Sequence, residues 1–248
     1  MNILYIHTHD TGRYVQPYGY NVPTPNIQAF AEQSVLFRNA HCAGPTCSPS
    51  RAAMLTGMAP HSAGMIGLVH RGARILEPTR HLAAYLGRQG YETALIGELH
   101  EGDPMIMGYQ HVLGHSKGTW EESAKEKAEQ LRGLLSAKRD KPFFISCGFR
   151  LTHRQGSQGF FQENGPRGDG RYVCPPVTLP DTPETRQDFA DFREAAAAYD
   201  RTFGELIRVL EESGHAEDTL VLLTTDHGIP FPRMKCTLTA HGTGVLLI

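Results

Sequence analysis

The chain has 248 residues, 40% of them hydrophobic and 20% charged, and 24 Lys and Arg against 26 Asp and Glu leave a formal charge of −2. That balance, with a pI near 6.7 and a mean hydropathy of −0.34, excludes a collagen, a charged disordered tail and a coiled coil, and it lacks the one-signed footprint of a protein whose main partner is nucleic acid or an anionic membrane. No apolar stretch approaches the roughly 20 residues of a membrane span, and five scattered cysteines without CxxC spacing predict free thiols, not a disulfide scaffold or a structural zinc site.

In chain order, the apolar run at 3–8 predicts a first strand. The residues ahead of it lack the basic, apolar and cleavage regions of an export signal, which predicts a cytoplasmic protein. Helices are predicted over 24–34 and over 49–56, the second with Pro49 in its first turn. A loop rich in Gly, Pro, His and Arg follows at 57–78, then a helix over 79–89, a strand over 93–97 and a helix over 120–137. The remaining elements are a strand at 142–148, a second long loop at 148–182, a helix at 183–213 and a strand at 220–225. In that last helix Phe189, Phe192, Ala196, Tyr199, Phe203, Leu206 and Leu210 recur at helical spacing and mark a buried face, and Asp181 or Thr182 ahead of Pro183 supplies its start. Short apolar strands alternating with helices predict an α/β fold, a mostly parallel central sheet with helices on both faces, as a single domain over 1–248. The final run, Gly244 to Ile248, is apolar and carries no cap or polar tail, which predicts that the domain is cut there.

Ligands of such sheets bind beyond the carboxyl ends of the strands. The residues after the predicted strands are His7-Thr8-His9-Asp10, Gly97-Glu98-Leu99-His100, Gly148-Phe149-Arg150-Leu151-Thr152-His153-Arg154, and Thr225-Asp226-His227-Gly228. A lone Asp at a strand end is usually a loop hydrogen-bonder, but ionisable groups at four tips together point to a site. Arg13, Tyr14 and Arg154 follow these tips and are candidate sugar contacts by position, whereas His61, His70, His111, His115 and His241 read as surface or supporting histidines.

A sharper signal is Cys47-Ser48-Pro49-Ser50-Arg51, followed by Leu55-Thr56-Gly57. Pro49 in a first helical turn puts Cys47 at or just before a helix N-terminus, where free N–H groups favour anions, and Arg51 adds a fixed charge one turn on. A cysteine there has a depressed pKa and can serve as a nucleophile; the plainer reading is a small buried thiol beside a helix cap.

This segment resembles the sulfatase signature C-x-P-S-R-x-x-x-L-T-G, in which the cysteine is oxidised after translation to formylglycine. The resemblance extends in order through Asn2-Ile3-Leu4 to His9-Asp10, Thr24-Pro25-Asn26-Ile27, Gly90-Tyr91 to His100, Gly148-Phe149 to His153-Arg154, Leu179-Pro180-Asp181-Thr182-Pro183, Asp226-His227-Gly228, and Lys235 with Gly242-Thr243. It covers essentially the whole chain as the larger N-terminal domain of a sulfatase, with the smaller C-terminal part missing. The resemblance implies a formylglycine at Cys47, hydrated to a diol whose one hydroxyl attacks sulfur and whose other expels sulfate. It also implies a divalent cation, calcium in most of the family, held by His9, Asp10, Asp226 and His227. His9 stands where the family most often has Asp, so the two imidazoles imply either a softer metal such as manganese or a His9 that turns away from the cation. Arg51, His100, His153 and Lys235 would hold the diol and sulfate. Glu98 stands where the family often has Lys and is not assigned to the site. The function implied is hydrolysis of a sulfuric ester or sulfamate on a small sulfated saccharide, with a formylglycine-generating enzyme as the partner that modifies Cys47. Two alternatives fit the same residues: a phosphoester or phosphonate hydrolase of the same superfamily, and a non-catalytic sulfatase-like protein.

Overall fold

The computed structural model describes residues 1–114, 124–138, 140–156, 159–160 and 167–248. Among the described residues five parallel strands form one sheet: β1 (Asn2–Thr8), β2 (Glu92–Gly97), β3 (His111–Leu113), β4 (Phe143–Gly148) and β5 (Thr219–Thr225), in the order β3-β2-β4-β1-β5. The register sets His7 of β1 opposite Gly148 of β4 and Thr224 of β5, and Gly97 opposite Gly148. The carboxyl ends of β1, β2, β4 and β5 therefore finish along one edge, and whatever follows them is gathered there.

Both faces are covered. On one, Leu4, Ile6, Ala94, Ile96, Phe143 and Ile145 pack against Leu131 and Leu135 of α4 (Ala124–Ser136) and against Tyr199, Phe203 and Leu206 of α5 (Pro183–Glu212). On the other, Tyr5, Leu95 and Phe144 pack against Ala52 and Leu55 of α2 (Cys47–Thr56) and Ala83 and Leu86 of α3 (Leu82–Arg88). Successive strand residues point to opposite faces, so a continuous apolar run is what a sheet buried on both sides needs. Each such side chain contributes roughly 1.5–3 kcal/mol on burial.

The predicted strands and the long helix fall where expected, Thr182 caps α5 through a reciprocal capping box with Thr185, and all five cysteines are free. Three local features differ. The strand β3 is an edge strand too short to show a period, and α6 (Ala240–Thr243) is too short as well. The helix predicted over 79–89 is split, because a 3-10 turn at Pro78–Arg80 ends at His81, whose Nδ1 accepts from Ala83 N at 3.2 Å and caps α3. The predicted helix start at 120–123, His115, and residues 157–158 and 161–166 of the second loop lie outside the described residues. The apolar run at the end of the chain is not loose: Val245, Leu246 and Ile248 are buried, and Ile248 exchanges backbone hydrogen bonds with Leu223 of β5 at 2.9 and 3.0 Å. Among the described residues no helix is long and apolar enough to cross a membrane.

The N-terminus of α1 (Pro25–Glu32) is closed by another helix. Thr24 Oγ1 accepts from Gln16 N and makes no cap, and the free N–H groups of Asn26 and Ile27 instead donate to Asp200 of α5 at 3.2 and 2.8 Å. Gly204, one turn on, permits this approach, since a Cβ there would lie 2.5 Å from Asn26 Oδ1. Asp200→Ala is expected to lower stability by about 1–3 kcal/mol, read as a shift of the denaturation midpoint, because two N–H donors and the Asn26 amide lose their acceptor.

Candidate active site

The α2 helix begins at Cys47 itself, two residues earlier than Pro49 predicts, and it points its N-terminus at the carboxyl edge of the sheet. Each polar residue of its first turns has a separate task. Ser48 Oγ accepts from Val69 N at 3.1 Å and ties down the loop above, while Ser50 Oγ donates to the Asp226 carbonyl at 2.5 Å. Arg51 is fully buried: its Nη2 donates to Thr8 O at 2.7 Å and to Asp226 Oδ2 at 3.1 Å, and its Nη1 lies 2.6 Å from His7 Nδ1. The helix is thereby bolted to β1 and to the tip of β5.

Asp226 leaves β5 and Asp10 leaves β1. Asp10 adopts φ 56°, a left-handed conformation that Asp tolerates better than most residues, and its N–H donates to Asp226 Oδ1 at 2.8 Å, as does His227 N at 2.9 Å. Lys235 Nζ reaches Asp10 Oδ2 at 2.7 Å, His227 Nε2 stands 3.2 Å from Asp10 Oδ1 and 3.3 Å from Cys47 Sγ, and His153 Nε2 lies 3.9 Å from Asp10 Oδ2. The His9 ring is 5.3 Å from that of His100 and 5.4 Å from that of His153. All nine residues singled out in the sequence, Cys47, Arg51, His100, His153, Lys235, His9, Asp10, Asp226 and His227, thus meet at one point.

Charge decides the protonation states. Burial alone would neutralise Asp226, but His227, Arg51 and His9 outweigh it and hold the carboxyl well below its usual range. Burial likewise opposes a charge on His227, yet Asp226 and Asp10 raise it to about 9. Burial pushes the Cys47 thiol up, and the surrounding imidazoles of His100, His153, His227 and His9, of which His227 Nε2 is 3.3 Å away, pull it far below the ordinary thiol range. Lys235 is driven above its ordinary value by Asp10 and Cys47 against the cost of burial.

The donor set fits a divalent cation. Ligand atoms of Asp10, Cys47, Asp226 and His227 lie within 4.8 Å of one another, as do those of His9, Asp10, Cys47 and His153. His9 Nδ1 is buried and approaches Asp226 Oδ2 to 3.0 Å, but without the alignment of a hydrogen bond, so it has no hydrogen-bond partner. A nitrogen and an oxygen that approach without bonding are disposed like two ligands of a shared ion. His9 and His227 fall in different groups joined by Asp10 and Cys47, and each group mixes carboxylate oxygen with imidazole nitrogen, a set that suits manganese where oxygen alone suits calcium.

Several residues outside the nine are placed differently from expectation. The three candidate sugar contacts are committed elsewhere. Arg154 pairs with Asp188 at 2.8 and 2.5 Å between the rings of Phe160 and Phe231, Arg13 donates to Ala40 O, and Tyr14 is buried against Tyr20. Glu98 is not an uncompensated anion, since Arg150 Nε donates to it at 2.6 Å. Of the supporting histidines, His70 stacks parallel on His100 at 5.7 Å, whereas His111 pairs with Glu92 on the edge strand. Sequence reasoning placed His7 and Arg150 among the strand-tip residues without giving them a role, and it missed Ser146 and Glu101, whose Oε2 accepts from His100 N at 2.9 Å.

Gly228, which closes the Asp-His-Gly run, is demanded by packing, because a Cβ there would fall on the His241 carbonyl oxygen of α6 and within 3.0 Å of Gly242 Cα. Both obstacles are backbone. Gly228→Ala is expected to displace α6 from β5 at a cost of about 1–3 kcal/mol or more, seen as a lowered melting temperature.

A profile of the Sulfatase family matches residues 1–243. The chain is 32% identical to human N-sulphoglucosamine sulphohydrolase over 252 residues, covering 92% of this chain and 50% of that protein. It is 26% identical to an ulvan-active sulfatase of Formosa agariphila, covering 100% of this chain and 47% of the relative. Among solved structures, a 2-O GAG sulfatase superposes with a TM-score of 0.75 at 21% identity, over 100% of this chain and 63% of the other. The phosphonate monoester hydrolase of Silicibacter pomeroyi also superposes at 0.75, with 18% identity, over 100% and 67%. Those two likenesses concern the fold. The chain spans about half the length of these curated relatives. With the family profile running over nearly all of the chain, and with its signature cysteine seated at the meeting point of the four strand tips, the chain belongs to the sulfatase family.

Proposed function

We propose that the chain carries the sulfate-cleaving centre of a sulfuric ester or sulfamate hydrolase acting on sulfated saccharides, with Cys47 converted to formylglycine by a partner enzyme. The observation that carries this reading is the seat of Cys47: first residue of α2, buried, and ringed by Arg51, Lys235, His100, His153 and the four candidate metal ligands. The names of the relatives, an N-sulphoglucosamine sulphohydrolase and an ulvan-active sulfatase, support a sulfated saccharide as substrate.

Each residue has work that its position allows. His9, Asp10, Asp226 and His227 would hold a divalent cation, which supplies the lowered pKa of a bound oxygen nucleophile near neutral pH. Arg51 and Lys235 lie on either side of the carboxylates and present fixed positive charge to a sulfate group, and preorganised charge of this kind usually lowers a reaction barrier more than any other single effect. His100 and His153 flank Cys47 and are placed to hand a proton to the departing alcohol or amine. The buried α2 N-terminus adds its free N–H groups to the same anion.

Two measurements test this. In protein from a host able to modify it, the peptide containing Cys47 is expected to be lighter than its thiol form by about 18 Da. The protein is further expected to hydrolyse members of a panel of sulfated monosaccharides in preference to the matching phosphate esters. An unmodified thiol from such a host sinks the proposal, and a preference for phosphate or phosphonate esters moves it to the neighbouring hydrolase class.

A further inference from the structure

His7 is 1% exposed and lies near the carboxyl end of β1, two residues before His9, with its ring stacked on Tyr5 at 4.8 Å. A histidine inside a buried parallel strand is costly unless both ring nitrogens are partnered. Both are: Nδ1 lies 2.6 Å from Arg51 Nη1, and Nε2 lies 3.2 Å from Ser146 Oγ on β4. A guanidinium has only N–H donors, so Nδ1 must be the acceptor, the proton must sit on Nε2, and Ser146 Oγ must accept it. The opposite tautomer would set two N–H groups against each other at 2.6 Å. Room for the ring comes from Gly148, across the sheet in register, where a Cβ would stand 2.7 Å from His7 Cε1 and would also run into the Glu98 carbonyl. The guanidinium depends on this contact, because its Nε has no partner and its Nη2 is already used by Thr8 and Asp226.

We infer that His7 is a positioning residue for the sulfate-binding arginine: its Nδ1 lone pair aims Arg51, and the Ser146 hydroxyl keeps the ring in the one tautomer that leaves that lone pair free. This rests on the hydrolase reading for its catalytic consequence and not for its geometry.

The test compares His7→Leu, His7→Gln and Ser146→Ala in the full, modified protein, with inorganic sulfate as a competitive probe. His7→Leu is expected to lose about tenfold or more in kcat/KM and in sulfate affinity, as for a hydrogen bond to a charged group. His7→Gln, whose amide oxygen can accept from Arg51, is expected to recover most of that loss. Ser146→Ala is expected to weaken sulfate binding by a smaller factor. A histidine 15N spectrum of the wild type, with His7 assigned by its disappearance in His7→Gln, is expected to show Nε2 protonated and Nδ1 bare at pH 7. Wild-type sulfate affinity in His7→Leu, equal impairment in His7→Gln, or an Nδ1–H tautomer overturns the inference. If His7→Leu does not fold, the spectrum and Ser146→Ala decide. The spectrum needs no turnover, so a protein with this tautomer and no hydrolase activity would refute the proposed function and leave the arginine clamp standing.

Discussion

Cys47→Ala, in protein from a host that makes formylglycine, is expected to lose about 10⁴-fold or more in sulfate-ester turnover while its melting temperature shifts by only a few degrees. The first half follows from the role: a group that forms the covalent intermediate cannot be replaced by its neighbours, and losing a nucleophile removes nearly all of the chemistry while binding survives. The second half follows from the site. The Cys47 side chain is small, and its surroundings are held by other bonds, with Ser50 and Arg51 fastening α2 to Asp226 and Thr8, and Lys235 fastened to Asp10. Saccharide binding measured by calorimetry should therefore persist in the variant. Retention of turnover in Cys47→Ala would remove the nucleophile from the proposal.

Asp226→Ala is expected to strike both stability and metal content. Asp226 is wholly buried, and its carboxylate is the counter-ion of Arg51 at 3.1 Å, a neighbour of His9 at 3.0 Å, and the acceptor for the backbones of Asp10 and His227. Removing it leaves a fully buried guanidinium uncompensated, which costs about 3–5 kcal/mol. The same change removes one of two carboxylates from the candidate cation site, so elemental analysis should find the bound metal lost or strongly reduced. The wild type offers the converse experiment. Chelation should abolish turnover and lower the melting temperature without unfolding the chain, because Arg51 and Lys235 still offset Asp226 and Asp10. Returning calcium or manganese should stabilise the protein by about 2.7 kcal/mol at a hundredfold excess over its dissociation constant. A chain whose melting temperature ignores both chelator and metal, and whose Asp226→Ala variant is as stable as wild type, would show that these carboxylates hold no cation.

Glu98 marks the limit of what a local sequence pattern can reveal. In the chain it is an anion where the family often places a cation, beside a site that handles an anion. In space it is paired with Arg150, a residue 52 positions away at the tip of another strand. The local pattern reported the substitution and had no means of reporting its partner, because β2 and β4 become neighbours only when the sheet assembles. The partners of Arg13, Tyr14 and Arg154 were equally invisible in the local pattern. Position after a strand tip predicts nearness to the site, whereas the direction of a long side chain is decided by what it can bond to, and Arg154 found Asp188 and two phenylalanine rings.

What the sequence determined by itself is the main strands and helices, the strand-tip residues His9, Asp10, His100, His153, Asp226 and His227, and Cys47 and Arg51 at a helix start; Lys235 came only through the resemblance to the sulfatase signature. Apolar strands buried on both sides can be recognised by composition, and a site built from strand tips and one helix N-terminus inherits its members from chain order. Only the tertiary structure decided how those members are held. The short edge strand β3, the closure of α1 by Asp200, and the His7 and Ser146 support behind Arg51 all depend on groups far apart in the chain. The physical reason is common to them: a buried polar atom must find a partner, and which partner it finds is a property of the packed interior, not of its neighbours in sequence.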